Sequence, residues 1–138
     1  MNLFKSWVSC PDKSNQFTLE DMQKALKTPE KYIIINTLTY EYHDCLIPGT
    51  IPDIKEESVI NEMLNNFDQP DKPIIIYGKN SLDDTPQTKW KQLRILGLSD
   101  IFIYGGGMFE WLLLHEVYGP TEFPIISSTK TPDIWKYR

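Results

Sequence analysis

Three isoleucine-rich runs constrain this chain more than any other feature: Tyr32-Ile33-Ile34-Ile35-Asn36, Pro73-Ile74-Ile75-Ile76-Tyr77 and Ile101-Phe102-Ile103-Tyr104. Successive β-branched residues favour extended backbone. A strand with one wet face alternates apolar and polar residues, and these runs do not. They therefore read as strands covered on both faces, which is the habit of a parallel sheet.

The intervening segments have helical periodicity. Leu19, Met22 and Leu26 recur at helix spacing behind Thr18, a residue suited to an N-cap, with Glu20 and Asp21 in the first turn. Val59, Ile60, Met63, Leu64 and Phe67 form one stripe, and Glu56, Glu57, Asn61, Glu62, Asn65 and Asn66 take the other side. A third helix is expected from a Thr85 cap with Pro86 at the first helical position, through Trp90, Leu93 and Leu96, to a stop at Gly97. A fourth, from about Met108 to Val117, follows Gly105-Gly106-Gly107 and is apolar round most of its circumference, so it is expected to be well buried. Helices alternating with such strands give an α/β fold, a mostly parallel central sheet with helices on both faces.

At 138 residues the chain suits one domain, with 1–118 as the domain and 119–138 as a C-terminal extension. Pro120, Pro124 and Pro132 exclude a long element in that extension. Phe123, Ile125, Ile126, Ile134, Trp135 and Tyr137 make it too apolar for a solvated tail, so it is expected to pack on the domain or on a partner. No apolar run reaches the roughly 18 to 20 residues of a membrane helix. The first ten residues lack the pattern of a secretory signal, which makes a cytoplasmic or other reducing intracellular compartment the expectation. With 14 basic against 19 acidic residues and a formal charge of -5, the chain is a poor candidate for gripping nucleic acid. Cys10 and Cys45 are the two cysteines, and neither has the spacing of a zinc site or a disulfide framework, so no metal or cofactor is expected.

In sheets of this class ligands sit where strand carboxyl ends meet helix N-termini, which directs attention to Gly78-Lys79-Asn80-Ser81-Leu82-Asp83-Asp84. At this point the sequence resembles the rhodanese family. Asn36 to Tyr42 is similar to that family's Asp-Val-Arg segment with its following Glu-Tyr pair, and Leu46-Ile47-Pro48-Gly49-Thr50-Ile51 to its His-Ile-Pro-Gly-Ala. Ile74 to Tyr77 before the loop, Leu96-Gly97-Leu98 before the last strand and Tyr104 to Trp111 after it fall in the family's order. The resemblance implies a rhodanese-like fold across roughly residues 17 to 118. It also places Gly78 where the family has its catalytic cysteine, Asn36 and Leu38 where it has Asp and Arg, and Leu46 where it has His. A subgroup with Tyr-Gly-Lys-Asn, an acidic pair and C-terminal Phe-Pro and Asp-Ile-x-Lys-Tyr segments is similar in the same respects.

Sulfur transfer and the related phosphatase chemistry need a thiolate at the mouth of a helix N-terminus, and glycine supplies none. No catalytic residue is therefore expected in the loop. The backbone N–H groups of residues 78–84 could cradle an anion, with Lys79 the single favourable charge, but Asp83 and Asp84 oppose one and either can instead cap the following helix. Asn80, Ser81, Asp83 and Asp84 also offer oxygens to a cation, though without EF-hand spacing. Ser81 would need a base that neither His43 nor His115 is placed by sequence to provide. Trp90 and Trp111 read as core side chains, His115 as a packed or half-exposed histidine rather than a ligand, and the glycine triplet as a tight turn without a phosphate-loop pattern. The leading expectation is a catalytically inactive module that binds a protein partner or itself, supported by exposed apolar candidates in the extension and at Trp7. The alternatives are a sulfurtransferase or phosphatase-like enzyme using Cys45, which requires Cys45 at the mouth of the Gly78 loop, and a small-molecule sensor.

Overall fold

The computed structural model describes residues 15–66 and 72–138. Trp7, Cys10 and Phe67 lie outside the described residues. The first strand, β1 (Gln16–Phe17), leads into α1 (Leu19–Ala25). Thr18 and Asp21 close a reciprocal capping box: Thr18 Oγ1 accepts the Asp21 N–H at 3.2 Å and Asp21 Oδ2 accepts the Thr18 N–H at 3.1 Å. Then follow β2 (Ile33–Asn36), β3 (Cys45–Leu46), α2 (Asp53–Asn65), β4 (Ile74–Tyr77), α3 (Thr85–Ile95), β5 (Ile101–Tyr104), α4 (Gly107–Tyr118) and β6 (Ile126–Ser127).

The main sheet runs β1-β5-β4-β2 with every pair parallel, and the three isoleucine-rich runs are its three inner-sequence strands β2, β4 and β5. Strand alternation splits their side chains between two cores. Ile33, Ile35, Ile74, Ile76, Ile101 and Ile103 face α2 and α3, where Ile60, Trp90, Leu93 and Leu98 cover them. Ile34, Ile75, Tyr77 and Tyr104 face α1 and α4, against Met22, Ala25, Met108, Trp111 and Leu112. Two apolar coats explain why no position along these strands is polar until Asn36.

Four features differ from the sequence expectation. Helix α3 begins at Thr85 itself, so Pro86 is its second residue; Asp84 occupies the cap position without a side-chain bond, and Asp83 accepts the Thr85 N–H instead. Leu96 falls past the helix end and is half exposed, because Gly97, at φ +108°, turns the chain into a Schellman stop: Leu98 N–H to Leu93 O at 3.2 Å and Gly97 N–H to Arg94 O at 3.0 Å. Helix α4 is less buried than its composition suggests, since only one side meets the sheet and Leu113, Val117 and Tyr118 face outward. The short strands β1, β3 and β6 carry no pattern long enough to read, being two residues each.

The C-terminal segment lies against the domain. Phe123 is buried on Trp111, ring centroids 5.0 Å apart and nearly perpendicular. Strand β6 pairs antiparallel with β3, and a single turn at Ile134–Tyr137 buries Tyr137 beside the strand ends while leaving Trp135 exposed.

Candidate functional site

Parallel strands bring the ends of β2, β4 and β5 to one edge, and the three loops that leave them are tied together. The Thr37 N–H donates to Tyr77 O at 3.0 Å, and the Thr37 and Thr85 hydroxyls lie 2.7 Å apart. Asn36, buried, turns the chain by accepting the Leu38 N–H on Oδ1 at 3.0 Å. Below them the Tyr77 hydroxyl accepts the Ile47 N–H at 3.2 Å and meets Thr50 Oγ1 at 2.7 Å. Burial pushes the ionisation of that phenol well above its ordinary range.

The loop Gly78–Asp84 folds round its own carboxylate. Asp83 Oδ2 accepts the Lys79 N–H at 2.8 Å, while Oδ1 accepts the Thr85 N–H at 3.0 Å and the Thr85 hydroxyl at 2.7 Å. Burial alone would raise the Asp83 carboxyl. The bonds from Lys79 and Thr85 and the Lys79 charge outweigh it and hold the carboxyl below the usual range. A Cβ on Gly78 would stand 2.5 Å from Asp83 Oδ2, 2.8 Å from Pro86 Cγ and 3.0 Å from Thr37 Oγ1, so the space a side chain would need there is filled.

Helix α4 closes the loop from the other side. Its first amides, Met108 and Phe109, donate to Gly78 O and Lys79 O, each at 2.9 Å. Gly107, at φ +67°, makes this approach possible: a Cβ there would lie 2.8 to 2.9 Å from Gly78 O, Asn80 N and Lys79 C. The glycine triplet is thus a tight turn with close backbone contact, as its sequence suggests. Asn80 ties the tip: Oδ1 accepts the Leu82 N–H at 2.9 Å, and Nδ2 donates to Tyr137 O at 3.0 Å.

The other sequence candidates are placed apart from this chemistry. Lys79 Nζ lies over the Tyr42 ring, 4.9 Å from its centroid. Ser81, Leu82 and Asp84 are exposed at the loop's outer side. His43 Nε2 is 2.8 Å from Leu38 O and 3.7 Å from Asp53, and His115 Nδ1 is 2.7 Å from Phe123 O. Cys45 is fully buried on β3 with its thiol 3.5 Å from the Ser127 hydroxyl. Among the described residues no group of three His, Cys, Asp or Glu is arranged to hold a metal ion. Open grooves of about 380 Å³ between α2 and α3 and about 490 Å³ between α1 and residues 121–124 do not include the loop.

Sequence reasoning anticipated that an aspartate would cap α3, but not that the same carboxylate would fill the space above Gly78. The Asp44–Lys136–Tyr137 cluster was missed altogether. The single hydroxyl hydrogen of Tyr137 is shared between Tyr42 O at 2.7 Å and Asp44 Oδ1 at 2.9 Å, and Lys136 Nζ donates to the same carboxylate at 3.3 Å. Burial works against the Asp44 charge, yet these two donors keep its carboxyl below the ordinary range. No local signal links residues so far apart in sequence.

The sequence matches the family model of the rhodanese-like domain over residues 18–114, most of the sheet and the first two turns of α4. The chain belongs to the rhodanese-like domain family. Solved structures agree on the fold of this rhodanese-like domain. It is similar to a full-length protein from Lactobacillus plantarum at 13% identity and TM-score 0.57, over 83% of this chain and 88% of that one. The rhodanese-like domain of an Anabaena protein, solved by NMR, matches at 20% identity and TM-score 0.54, over 86% of this chain and 85% of that one. A Bacillus halodurans protein matches at 21% identity and TM-score 0.52, over 77% and 74%. No curated protein matches the sequence. Among the described residues no helix is long and apolar enough to cross a membrane.

Proposed function

We propose that this rhodanese-like domain is catalytically inactive and works as a binding or assembly module, engaging a protein partner or a second copy through the edge where its strands end. One observation carries the reading: the Asp83 carboxylate stands where a side chain on residue 78 would have to be. Gly78 brings no nucleophile, and the amides of Lys79 and Thr85 that could hold a reacting anion are already engaged by Asp83. An incoming oxyanion has to displace a tethered one that makes three bonds and has Asp84 beside it in the chain.

The same edge has features suited to docking. Tyr40, Leu82 and Trp135 are 89%, 92% and 69% exposed, and each sits on one of the three segments joined through Asn80, Tyr137, Tyr42 and Lys136. Trp and Tyr side chains such as Trp135 and Tyr40 are the residue types that most often anchor protein contacts. The alternative enzyme reading needs Cys45 to be reachable, and its complete burial weighs against that.

The test is a thiosulfate sulfurtransferase and phosphatase assay on the wild type beside Gly78→Cys and Cys45→Ser, run with light scattering over a concentration series and a partner pull-down. Silence of the wild type in both reactions, with a self-associated or partner-bound species, is the expected result. Turnover abolished by Cys45→Ser would replace this reading with the relocated-thiol enzyme. A monomer at every concentration that captures nothing would remove the assembly role.

A further inference from the structure

The C-terminal segment reaches across the strand-end edge and covers groups that would otherwise be open. Cys45 is 0% exposed; Ser127 of β6 lies 3.5 Å from its thiol, and Tyr137 belongs to the same buried cluster. Tyr137 also joins the two loops beneath it: its hydroxyl hydrogen is shared between Tyr42 O and Asp44, and its carbonyl accepts from Asn80. Lys136 adds bonds to Glu41 O and Asp44.

This closure is of a kind that opens locally. Between Phe123 and Tyr137 the segment buries no large apolar side chain completely: Ile126 is 58% exposed, Trp135 is 69% exposed, and the β3–β6 ladder has two residue pairs. Beyond Phe123 the attachment is one buried ring, the partly buried Ile125 and Ile134 and a group of partly buried hydrogen bonds, less than the double-coated sheet has, so it should separate at a free energy below that of unfolding the sheet. The start of the segment stays on the domain, with Trp111 Nε1 donating to Pro124 O at 2.8 Å and Phe123 packed on the same indole. Pro124 follows that anchor and precedes the part of the segment held more lightly, by Ile125, the two-residue β6 and the final turn.

We infer that residues 125–138 form a releasable latch over the strand-end edge, closed by Tyr137 and Lys136 on Asp44, whose opening uncovers Cys45, the Tyr42 ring and the Asn80 amide. The latch takes the edge proposed above as the surface it gates. A partner using that edge then has two options: it binds the closed rim, or it competes with the chain's own Lys136-Tyr137 pair for the cleft between the loops. A competing group would have the same chemistry, an aromatic ring with a hydrogen-bond donor next to a cation.

Thiol labelling reads the latch without any partner, so it can fail while the binding reading stands, and the reverse. In a Cys10→Ser background Cys45 is the sole thiol of the chain. Its reaction with an aromatic disulfide reagent under native conditions is compared with that of two further variants. Tyr137→Phe keeps the ring and removes the hydroxyl hydrogen shared by Tyr42 and Asp44, and labelling is expected to rise roughly tenfold. Ile60→Ala weakens the opposite core, where Ile60 packs, and labelling is expected to stay at the parent rate. The latch is overturned by an unchanged rate in Tyr137→Phe. It is equally overturned by a rise in Ile60→Ala as large as that in Tyr137→Phe, which would mean that the thiol appears only when the whole domain unfolds. If Tyr137→Phe does not melt cooperatively, Lys136→Met takes its place, with a rise expected and its absence decisive against the latch.

Discussion

A single methyl group on residue 78 tests whether Asp83 truly fills the centre of the loop. In Gly78→Ala the new Cβ would lie 2.5 Å from Asp83 Oδ2, 2.8 Å from Pro86 Cγ and 3.0 Å from Thr37 Oγ1, where ordinary carbon contacts are about 3.5 to 4.0 Å. Pro86 is a buried ring in the first turn of α3 and Thr37 is bonded to Thr85, so the Asp83 carboxylate is the group that must move. Overpacking of this kind costs about 1 to 3 kcal/mol, and each hydrogen bond surrendered by Asp83 adds about 1 kcal/mol. A destabilisation of roughly 3 kcal/mol is expected, which for a chain of this size lowers the melting temperature on the order of 10 °C. Asp83→Ala removes the same bonds without a clash and should cost about 2 kcal/mol. Because the two changes strike one interaction, the double variant should be roughly 2 kcal/mol more stable than the sum of the singles predicts. Urea unfolding followed by tryptophan fluorescence measures all four corners. Strict additivity, or a Gly78→Ala chain within about 0.5 kcal/mol of the parent, would refute the account of a loop built round its own carboxylate.

Two predictions concern pH. The folded Asp83 carboxyl is held below its ordinary value, so its stabilisation is complete at neutral pH and is lost as pH falls below about 4 towards the folded value. Urea midpoints should therefore fall in that acid range, and less steeply in Asp83→Asn; equal slopes would contradict the bonding described. Tyr77, Tyr104 and Tyr137 have the opposite sign: burial, helped at Tyr104 by Glu110 and at Tyr137 by Asp44, raises their ionisation far above about 10. Their contribution is intact below about pH 10 and is lost as pH rises beyond it, so absorbance titration should show these three of the seven tyrosines ionising together with alkaline unfolding rather than before it.

The strands were legible because burial on both faces leaves a mark at every position. Runs such as Ile33-Ile34-Ile35 admit no wet face, and the observed β2, β4 and β5 differ from the expected bounds by one residue at most. Helix stops were legible where a glycine forces the conformation, as at Gly97, and less so where several residues compete for a cap. At the start of α3, Asp83, Asp84 and Thr85 all have capping side chains, and the choice of Asp83 follows from the turn held by Asn80, which no pairwise rule in sequence reveals. The outer face of α4 was misjudged because composition counts apolar residues without saying whether a further layer exists to cover them. Strand β6 and the Tyr137 cluster were out of reach for a different reason: their partners, β3 and Asp44, are more than eighty residues away, and two-residue strands have no periodicity.

The loop between β4 and α3 satisfies strand-end amides with a side chain of its own. Amides gathered at a helix N-terminus need an acceptor, and in an open site water or a substrate anion provides it. Here Asp83 provides it to the Lys79 and Thr85 amides, and those bonds together with the Thr85 hydroxyl hold the carboxylate in place. The first amides of α4 are likewise spent on the carbonyls of Gly78 and Lys79. The amides of Lys79, Thr85, Met108 and Phe109 are thereby satisfied from within the chain, and in the proposed binding role recognition would fall to the rim, where Tyr40, Leu82 and Trp135 are exposed. In the binding role proposed above, contacts at the rim would draw on apolar area and on the bonds that tie Lys136 and Tyr137 to Asp44, rather than on anion chemistry. Making this loop an anion cradle with a nucleophile would therefore take at least two changes, one to remove Asp83 and one to add a thiol at residue 78.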